Sequence, residues 1–172
     1  RLRQMCIRDR GAAAGALKLY DNLPALQKTG QHLLLRLNQP VPRIEIGMGL
    51  RDLAKACIDV SDGLAADLGH ILEASGTGAE LDFKQLPVSE ALAHAGLSDE
   101  QLRDCVLYGG DDYELCFTAV PQHREAIVAL SARTACPISR VGAIISESGL
   151  FLLDDDTSTP TRIKGYDHFA AS

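Results

Sequence analysis

Residues 57–75 read CIDVSDGLAADLGHILEAS, and this stretch decides the fold class. Its first four residues are typical of a short apolar strand that carries one carboxylate, Asp59. The apolar positions that follow recur at the spacing of an amphipathic helix, and they are Leu64, Leu68, Ile71 and Leu72. We expect this helix to run to about residue 74. A strand that leads directly into a helix predicts a sheet with helices packed on it.

Helical and strand patterns alternate through the rest of the chain. We expect helices over 12–28, 31–37, 47–56, 89–96, 98–105 and 121–133, and strands over 78–83, 113–120, 138–145 and 149–153. The segment NQPVPR at 38–43 is predicted to be an extended linker, because each proline disfavours helix at the residue before it. Residues 154–172 are polar, and we expect them to be mostly irregular. This order predicts the α+β class, with a mixed sheet and helices packed on it.

Composition bounds the possible functions. The chain has 172 residues, of which 46% are apolar and 23% charged, as in a globular protein with one domain of ordinary size. The net charge of −6 argues against a nucleic-acid surface, and no apolar run approaches the length of a membrane span. The 5 cysteines include no CxxC pair, which favours a reducing cytoplasm over a disulfide framework or a zinc site.

The N-terminal decapeptide RLRQMCIRDR fits no periodic pattern. Its second half is typical of a translated sequencing adapter, so we expect residues 1–10 to be a foreign segment and leave them out of the predicted fold. Residues 11–38 are interpreted as a helical remnant of a preceding part with its linker. Residues 39–172 are interpreted as a C-terminal domain that binds substrate and metal.

The corner DVSDG at 59–63 is the first candidate site. Asp59 interrupts an apolar strand, and a buried carboxylate is rare unless it is paired or bound to metal. Asp62 lies at the start of the helix, where the helix dipole favours a negative charge. Two carboxylates at one corner suit Mg²⁺, while Ser61 and the backbone N–H groups after it could meet an anion. The alternative is that Ser61 or Asp62 simply caps the helix.

The second candidate site is LYGGDDYEL at 107–115. Its two glycines form a tight turn that allows close approach of the backbone to a ligand. Neighbouring side chains in a strand point to opposite faces, so Asp111 and Asp112 are not expected to face one site together. The alternative is an ordinary turn without a ligand.

Three motifs in order, DVSDGLAADLGHILEASG at 59–76, GGDDYEL at 109–115 and GYDHF at 165–169, resemble the thiamine-monophosphate kinase family, with PVPR at 40–43 before them. That family belongs to the aminoimidazole-ribonucleotide synthetase superfamily. The resemblance implies the fold of that superfamily's C-terminal domain. It also implies a kinase that transfers a phosphoryl group from ATP directly to thiamine monophosphate, with several Mg²⁺ ions and no catalytic nucleophile from the protein.

The resemblance also implies roles for individual residues. Asp59 and Asp62 match Mg²⁺ ligands, and Ser61 matches a position that contacts ATP. Asp111 matches a substrate-binding position where the family often has Glu, so its reach is one methylene shorter. Tyr166 matches an aromatic residue that lies against the substrate, where a cationic ring can stack on it. The alternative for Tyr166 is a tail anchor packed on the sheet.

The family carries an N-terminal domain with most nucleotide contacts and the dimer interface. The resemblance therefore implies that this chain is a fragment, inactive alone, of a homodimeric parent. Two alternatives stay open at this stage. One is another ATP-using enzyme of the superfamily, of the selenophosphate synthetase or hydrogenase-maturation type. The other is a non-catalytic domain that binds a ligand or dimerises.

Overall fold

The structure is a computed structural model that describes residues 4–7, 10–154 and 157–163, with the backbone alone for 4–7. Its helices are α1 (Ala12–Lys18), α2 (Gln27–Asn38), α3 (Ile44–Gly49), α4 (Leu64–Ser75), α5 (Glu90–Ala93), α6 (Asp99–Tyr108) and α7 (Arg124–Arg133). Its strands are β1 (Gln4–Ile7), β2 (Ala54–Val60), β3 (Gly78–Asp82), β4 (Glu114–Ala119), β5 (Ser139–Ile145), β6 (Gly149–Asp154) and β7 (Thr157–Thr161). The predicted α+β class is confirmed.

The described strands form one sheet of seven in the order β2-β4-β1-β5-β3-β6-β7. Of the described strands, β3 and β6 alone run parallel to each other, so the sheet is mixed, as predicted. The larger core lies where α1, α2, α4 and α6 pack on one face, and it includes Val60 and Cys116. The smaller core lies where α3 and α7 pack against Phe117. Because neighbouring side chains of β4 serve different cores, helices cover both faces of the sheet at this edge.

Strand β2 is longer than the sequence predicted. Residues 47–56 were expected to be helical, whereas α3 ends at Gly49 and β2 begins at Ala54. The residues from Ala54 onward pair with β4 in antiparallel register. The hydrogen bonds of this ladder outweigh the helix propensity of a short Ala- and Lys-containing segment, because propensity differences are below ~1 kcal/mol per residue.

Two further strands were not predicted. Gln4–Ile7 lies between β4 and β5 in the middle of the sheet, so leaving this segment out of the fold was wrong. A sheet ladder is made by backbone groups and tolerates many sequences, so the interpretation of 1–10 as foreign stays a prediction. Thr157–Thr161 pairs with β6 at the sheet edge, where Pro160 is tolerated because the outer side of an edge strand needs no ladder bond.

Candidate functional site

The chain forms an open cavity of about 500 Å³ where the turn between β2 and α4 meets the loop between α6 and β4. Helix α1 forms its third wall. The cavity is lined by Ala14, Leu17, Ser61, Asp62, Tyr108, Gly109, Gly110, Asp111 and Tyr113. The two motifs that the sequence singled out therefore meet in one place, with two carboxylates and two phenol rings around the opening.

The two loops are joined backbone to backbone. The N–H of Asp111 donates to the carbonyl of Ser61 at 2.9 Å, and the N–H of Tyr113 donates to the carbonyl of Val60 at 3.0 Å. A Cβ at Gly110 would lie 2.2 Å from the Ser61 carbonyl oxygen, so only glycine permits this approach. The glycine turn of the second motif thus serves contact between loops of the protein itself.

Asp111 and Asp112 point in different directions, as the sequence predicted, although both lie before β4 begins at Glu114. Asp111 and Tyr113 adopt left-handed backbone conformations with φ of 62° and 50°. These two residues re-aim the chain on either side of Asp112. Asp111 is exposed at the cavity, whereas Asp112 is buried.

Asp112 holds the start of α1. Its carboxylate accepts hydrogen bonds from the N–H groups of Gly11 at 2.7 Å and Ala13 at 3.3 Å. The fully buried Arg10 places Nη1 2.6 Å from Asp112 Oδ2, a contact that is ionic without the alignment of a hydrogen bond. Arg10 also donates from Nη2 to the carbonyl of Gly109 at 2.7 Å. Asp112 therefore stabilises the cavity wall and is not free to bind a ligand.

Glu114, the last acidic residue of the second motif, is also committed to structure. Its buried carboxylate accepts hydrogen bonds from Arg43 at 2.6 and 2.8 Å and from Arg36 at 2.8 Å. Two guanidinium groups around one carboxylate stabilise its charge in a buried setting. This contact explains the PVPR segment, since its arginine fastens the linker after α2 to the strand that follows the cavity.

Of the two predicted metal ligands, Asp62 lines the cavity and Asp59 does not. Asp62 is half-buried, and its Oδ1 accepts a hydrogen bond from the Ser61 hydroxyl at 3.4 Å. Asp59 is exposed on the edge strand β2, opposite Leu115 of β4. The argument from burial of Asp59 was therefore wrong. Among the described residues, those that line the cavity do not include Asp59.

Opposed residues of an antiparallel pair share a face, so Asp59 lies on the Leu115 face, towards α3. Across residues 4–7, 10–154 and 157–163, no three His, Cys, Asp or Glu side chains are grouped to hold a metal ion. This arrangement does not form a closed metal cage. It fits Mg²⁺, which commonly takes one or two carboxylates, with water and substrate phosphates completing its shell.

The backbone N–H groups that follow Ser61 were expected to meet an anion, but they do not face an open site. The N–H groups of Ser61, Asp62 and Gly63 donate to Oδ2 of Asp67 at 3.0, 3.1 and 3.2 Å. Burial raises the pKa of Asp67, the N–H bonds from Asp62 and Ser61 lower it, and the Asp62 charge raises it further, so the net direction is upward. Neither Ser61 nor Asp62 caps α4 by its side chain; Gly63 is the N-cap residue.

Sequence analysis missed Asp67, although a signal was present. Asp67 stands three residues after Leu64 and one before Leu68, which places an acidic side chain on the apolar stripe of the helix. It is 3% exposed, in keeping with that position. A carboxylate on the buried face of a helix needs a partner, and the partners here are the amides one turn earlier.

Tyr166 lies outside the described residues. The structure describes the chain before it as far as Ile163, whose side chain packs against Gly69 of α4. A Cβ at Gly69 would lie 2.4 Å from the Ile163 side chain. The hydroxyl of Tyr108, a cavity residue, is 3.0 Å from the hydroxyl of Thr161. The end of β7 therefore runs beside the cavity. No helix that the structure describes has the length and apolar character to cross a membrane.

The fold and the paired motifs define a class of protein. Residues 7–155 match the model of the family described as AIR synthase related protein, C-terminal domain, and the chain belongs to that family. It is also 40% identical over 161 residues to the thiamine-monophosphate kinase of Salmonella typhimurium, an alignment that covers 92% of this chain and 49% of the relative.

Solved structures agree. The thiamine-monophosphate kinase from Stenotrophomonas maltophilia K279a matches with a TM-score of 0.81 and 41% identity over 87% of this chain and 49% of that one. AaThiL complexed with AMPPCP and TMP matches with a TM-score of 0.76 and 26% identity over 98% of this chain and 52% of that one. The predicted resemblance is confirmed, and the chain spans about half the length of the relatives it matches.

Proposed function

We propose that this chain is the phosphate-acceptor half of a kinase that uses ATP to convert thiamine monophosphate to thiamine diphosphate. The observation that carries the proposal is the meeting of Ser61, Asp62 and Asp111 at one cavity. The similarity to thiamine-monophosphate kinases, one of them in complex with AMPPCP and TMP, supports the substrate pair. The whole protein is proposed to act as a homodimer in the cytoplasm, where buried thiols such as Cys105 and Cys116 stay reduced.

The proposed site needs cations because two phosphate groups must approach each other. Bound Mg²⁺ would supply that charge neutralisation. Asp62 would hold one ion at the cavity, with its carboxylate beside the Ser61 hydroxyl. Asp59 lies on the Leu115 face of β2, outside the cavity lining, and would hold a different ion. Direct transfer needs no nucleophilic side chain, so no catalytic nucleophile is assigned.

The remaining cavity residues suit the acceptor. Asp111 is exposed at the rim and is proposed to contact the thiamine phosphate through a shared cation, since two anions repel. Ser61 is proposed to contact ATP. Tyr166 is proposed to stack on the cationic thiazolium ring, and the hydrogen bond between Thr161 and Tyr108 of the cavity, five residues before Tyr166, supports this role.

A chimera tests the proposal. In the Salmonella typhimurium enzyme, the matched 49% of the sequence is replaced by this chain, and formation of thiamine diphosphate from thiamine monophosphate and ATP is measured. We expect activity that Asp62→Asn and Asp59→Asn each reduce by about 100-fold or more, as for loss of a charged ligand at a reacting phosphate. The matched control is Glu73→Gln on the exposed side of α4, which should leave the rate unchanged.

A folded chimera without activity would contradict the proposal. Activity that survives both aspartate substitutions would contradict the metal roles alone. Phosphoryl transfer to another acceptor in place of thiamine monophosphate would favour the other enzymes of the superfamily.

A further inference from the structure

Three successive backbone amides at the entry to α4 point at a carboxylate of the same chain. The N–H groups of Ser61, Asp62 and Gly63 all donate to the single oxygen Oδ2 of Asp67. Successive N–H groups at the start of a helix form a concave nest that holds phosphate in many nucleotide-binding proteins. In this chain the nest is filled from inside, since Asp67 is 3% exposed.

We propose that Asp67 is a positioning residue that closes this amide nest, so that phosphate groups in the cavity are held through cations and side chains and not through the backbone of the turn. The inference rests on the proposed function, because it concerns how that site meets phosphate. Asp67 is buried and is not among the described residues that line the cavity, so it acts through the turn at 61–63.

The geometry fixes the turn from both directions. The N–H of Asp67 donates to the carbonyl of Gly63 at 3.0 Å. In the other direction, the Asp67 carboxylate accepts hydrogen bonds from the three N–H groups at 61–63. Gly63 has a φ of 121°, and a Cβ there would lie 2.7 Å from the carbonyl oxygen of Tyr108. The turn is therefore held between the first turn of α4 and the loop after α6. With its own N–H bonded inward, Asp62 directs its side chain to the cavity.

The charges act in the same direction as the geometry. A filled nest offers phosphate no free N–H group, and the carboxylates of Asp62 and Asp67 at one turn repel an anion. The same pair attracts a cation. A phosphate group therefore gains affinity for this corner only after a cation has bound, which makes phosphate binding depend on metal.

The test measures phosphate binding with and without metal in the 172-residue chain. Inorganic pyrophosphate is titrated calorimetrically in EDTA and in Mg²⁺ against the unchanged chain, Asp67→Ala and Asp67→Asn. Asp67→Ala opens the nest and removes a negative charge, so it should bind pyrophosphate in EDTA at least about tenfold more tightly than the unchanged chain. Asp67→Asn keeps an acceptor oxygen without the charge and should fall between the two. Glu73→Ala, on the exposed side of the same helix, should bind pyrophosphate in EDTA no more tightly than the unchanged chain.

Amide hydrogen exchange gives an independent measure of the closed nest. In Asp67→Asn, the amides of Ser61, Asp62 and Gly63 should exchange faster, while those of β3 stay unchanged. A residue that only stabilised α4 would alter the midpoint of unfolding without producing metal-free pyrophosphate binding.

Two results would overturn the proposal. One is that the amides of Ser61, Asp62 and Gly63 exchange as slowly in Asp67→Asn as in the unchanged chain. This result would overturn the proposal even if Asp67→Ala does not fold. The other is an Asp67→Ala chain whose three amides exchange faster but whose affinity for pyrophosphate in EDTA is no higher than that of the unchanged chain. Failure of the proposed function would look different, because the unchanged chain would then bind no pyrophosphate in Mg²⁺, whatever the exchange data show.

Discussion

The N–H of Asp111 donates a 2.9 Å hydrogen bond to the carbonyl of Ser61, and this bond joins the two loops that form the candidate site. The two residues are 50 positions apart in the chain. Ser61 precedes Asp62, and the carboxylates of Asp62 and Asp111 both lie at the cavity. Because both partners are backbone groups, the contact is set by the path of the chain. A change in either loop therefore displaces the carboxylate of the other.

The first prediction concerns Gly110. Its replacement by Ala would place a Cβ 2.2 Å from the Ser61 carbonyl oxygen, so the loops must separate. We expect a loss of about 1–3 kcal/mol in the free energy of unfolding, measured by urea denaturation. Gly47→Ala is the control, since its Cβ would meet Leu115 at 3.6 Å and should leave stability equal or higher. Equal stability of Gly110→Ala and the unchanged chain would contradict the loop contact.

The second prediction concerns the buried pair of Arg10 and Asp112. Asp112→Asn leaves the Arg10 guanidinium without its counter-charge, so we expect a loss of about 3–5 kcal/mol in the free energy of unfolding. Asp111→Asn, at an exposed position, should change it by less than about 0.5 kcal/mol. The double variant Arg10→Met with Asp112→Asn should recover part of the loss. Purely additive effects would mean that the two side chains do not interact.

The sequence predicted those features that follow from local pattern. Helix α4 was recognised from the spacing of Leu64, Leu68 and Ile71, and the helix expected over 98–105 is present as α6. The opposed directions of Asp111 and Asp112 were also predicted. Each of these features depends on residues within a few positions of one another.

Features that depend on distant partners were missed. The helix expected over 47–56 gave way to β2 because β4, some 60 residues later, supplies a strand partner. The exposure of Asp59 follows from the edge position of β2, which no local pattern reports. The filled amide nest is a local contact, and it was missed because Asp67 was assigned no role beside the apolar pattern of the helix.

The third prediction concerns thiol reactivity. Cys57 is exposed, while Cys105, Cys116 and Cys136 are buried. Desolvation and the nearby Asp59 carboxylate raise the pKa of the Cys57 thiol, and desolvation also raises that of Cys105. Among these four, we expect iodoacetamide to label Cys57 first. Because the thiolate is the reactive form and the pKa of Cys57 is raised, the labelling rate should keep rising at pH values where a free cysteine is already ionised. Peptide mass spectrometry gives the order, and earlier labelling of Cys116 would contradict the packing of β4.

The fourth prediction concerns turnover by the 172-residue chain itself. The chain spans about half the length of its relatives, with 49% of the Salmonella typhimurium enzyme covered. Its cavity holds carboxylates but lacks, within the described residues, a cluster of ligands able to hold several metal ions. We expect no thiamine diphosphate from ATP and thiamine monophosphate in a coupled assay. Steady turnover by the chain alone would show that the described cavity is sufficient for the reaction.

The central claim is that the cavity of Asp62 and Asp111 binds thiamine monophosphate through Mg²⁺, and calorimetric titration of the chain with this ligand tests it most directly. We predict a saturable heat of binding in Mg²⁺ that disappears in EDTA. In Asp62→Asn the affinity for thiamine monophosphate should fall at least about tenfold, as for loss of a charged ligand. Glu73→Gln should titrate like the unchanged chain. Binding of the same strength in EDTA, or no heat at all in Mg²⁺, would contradict the account.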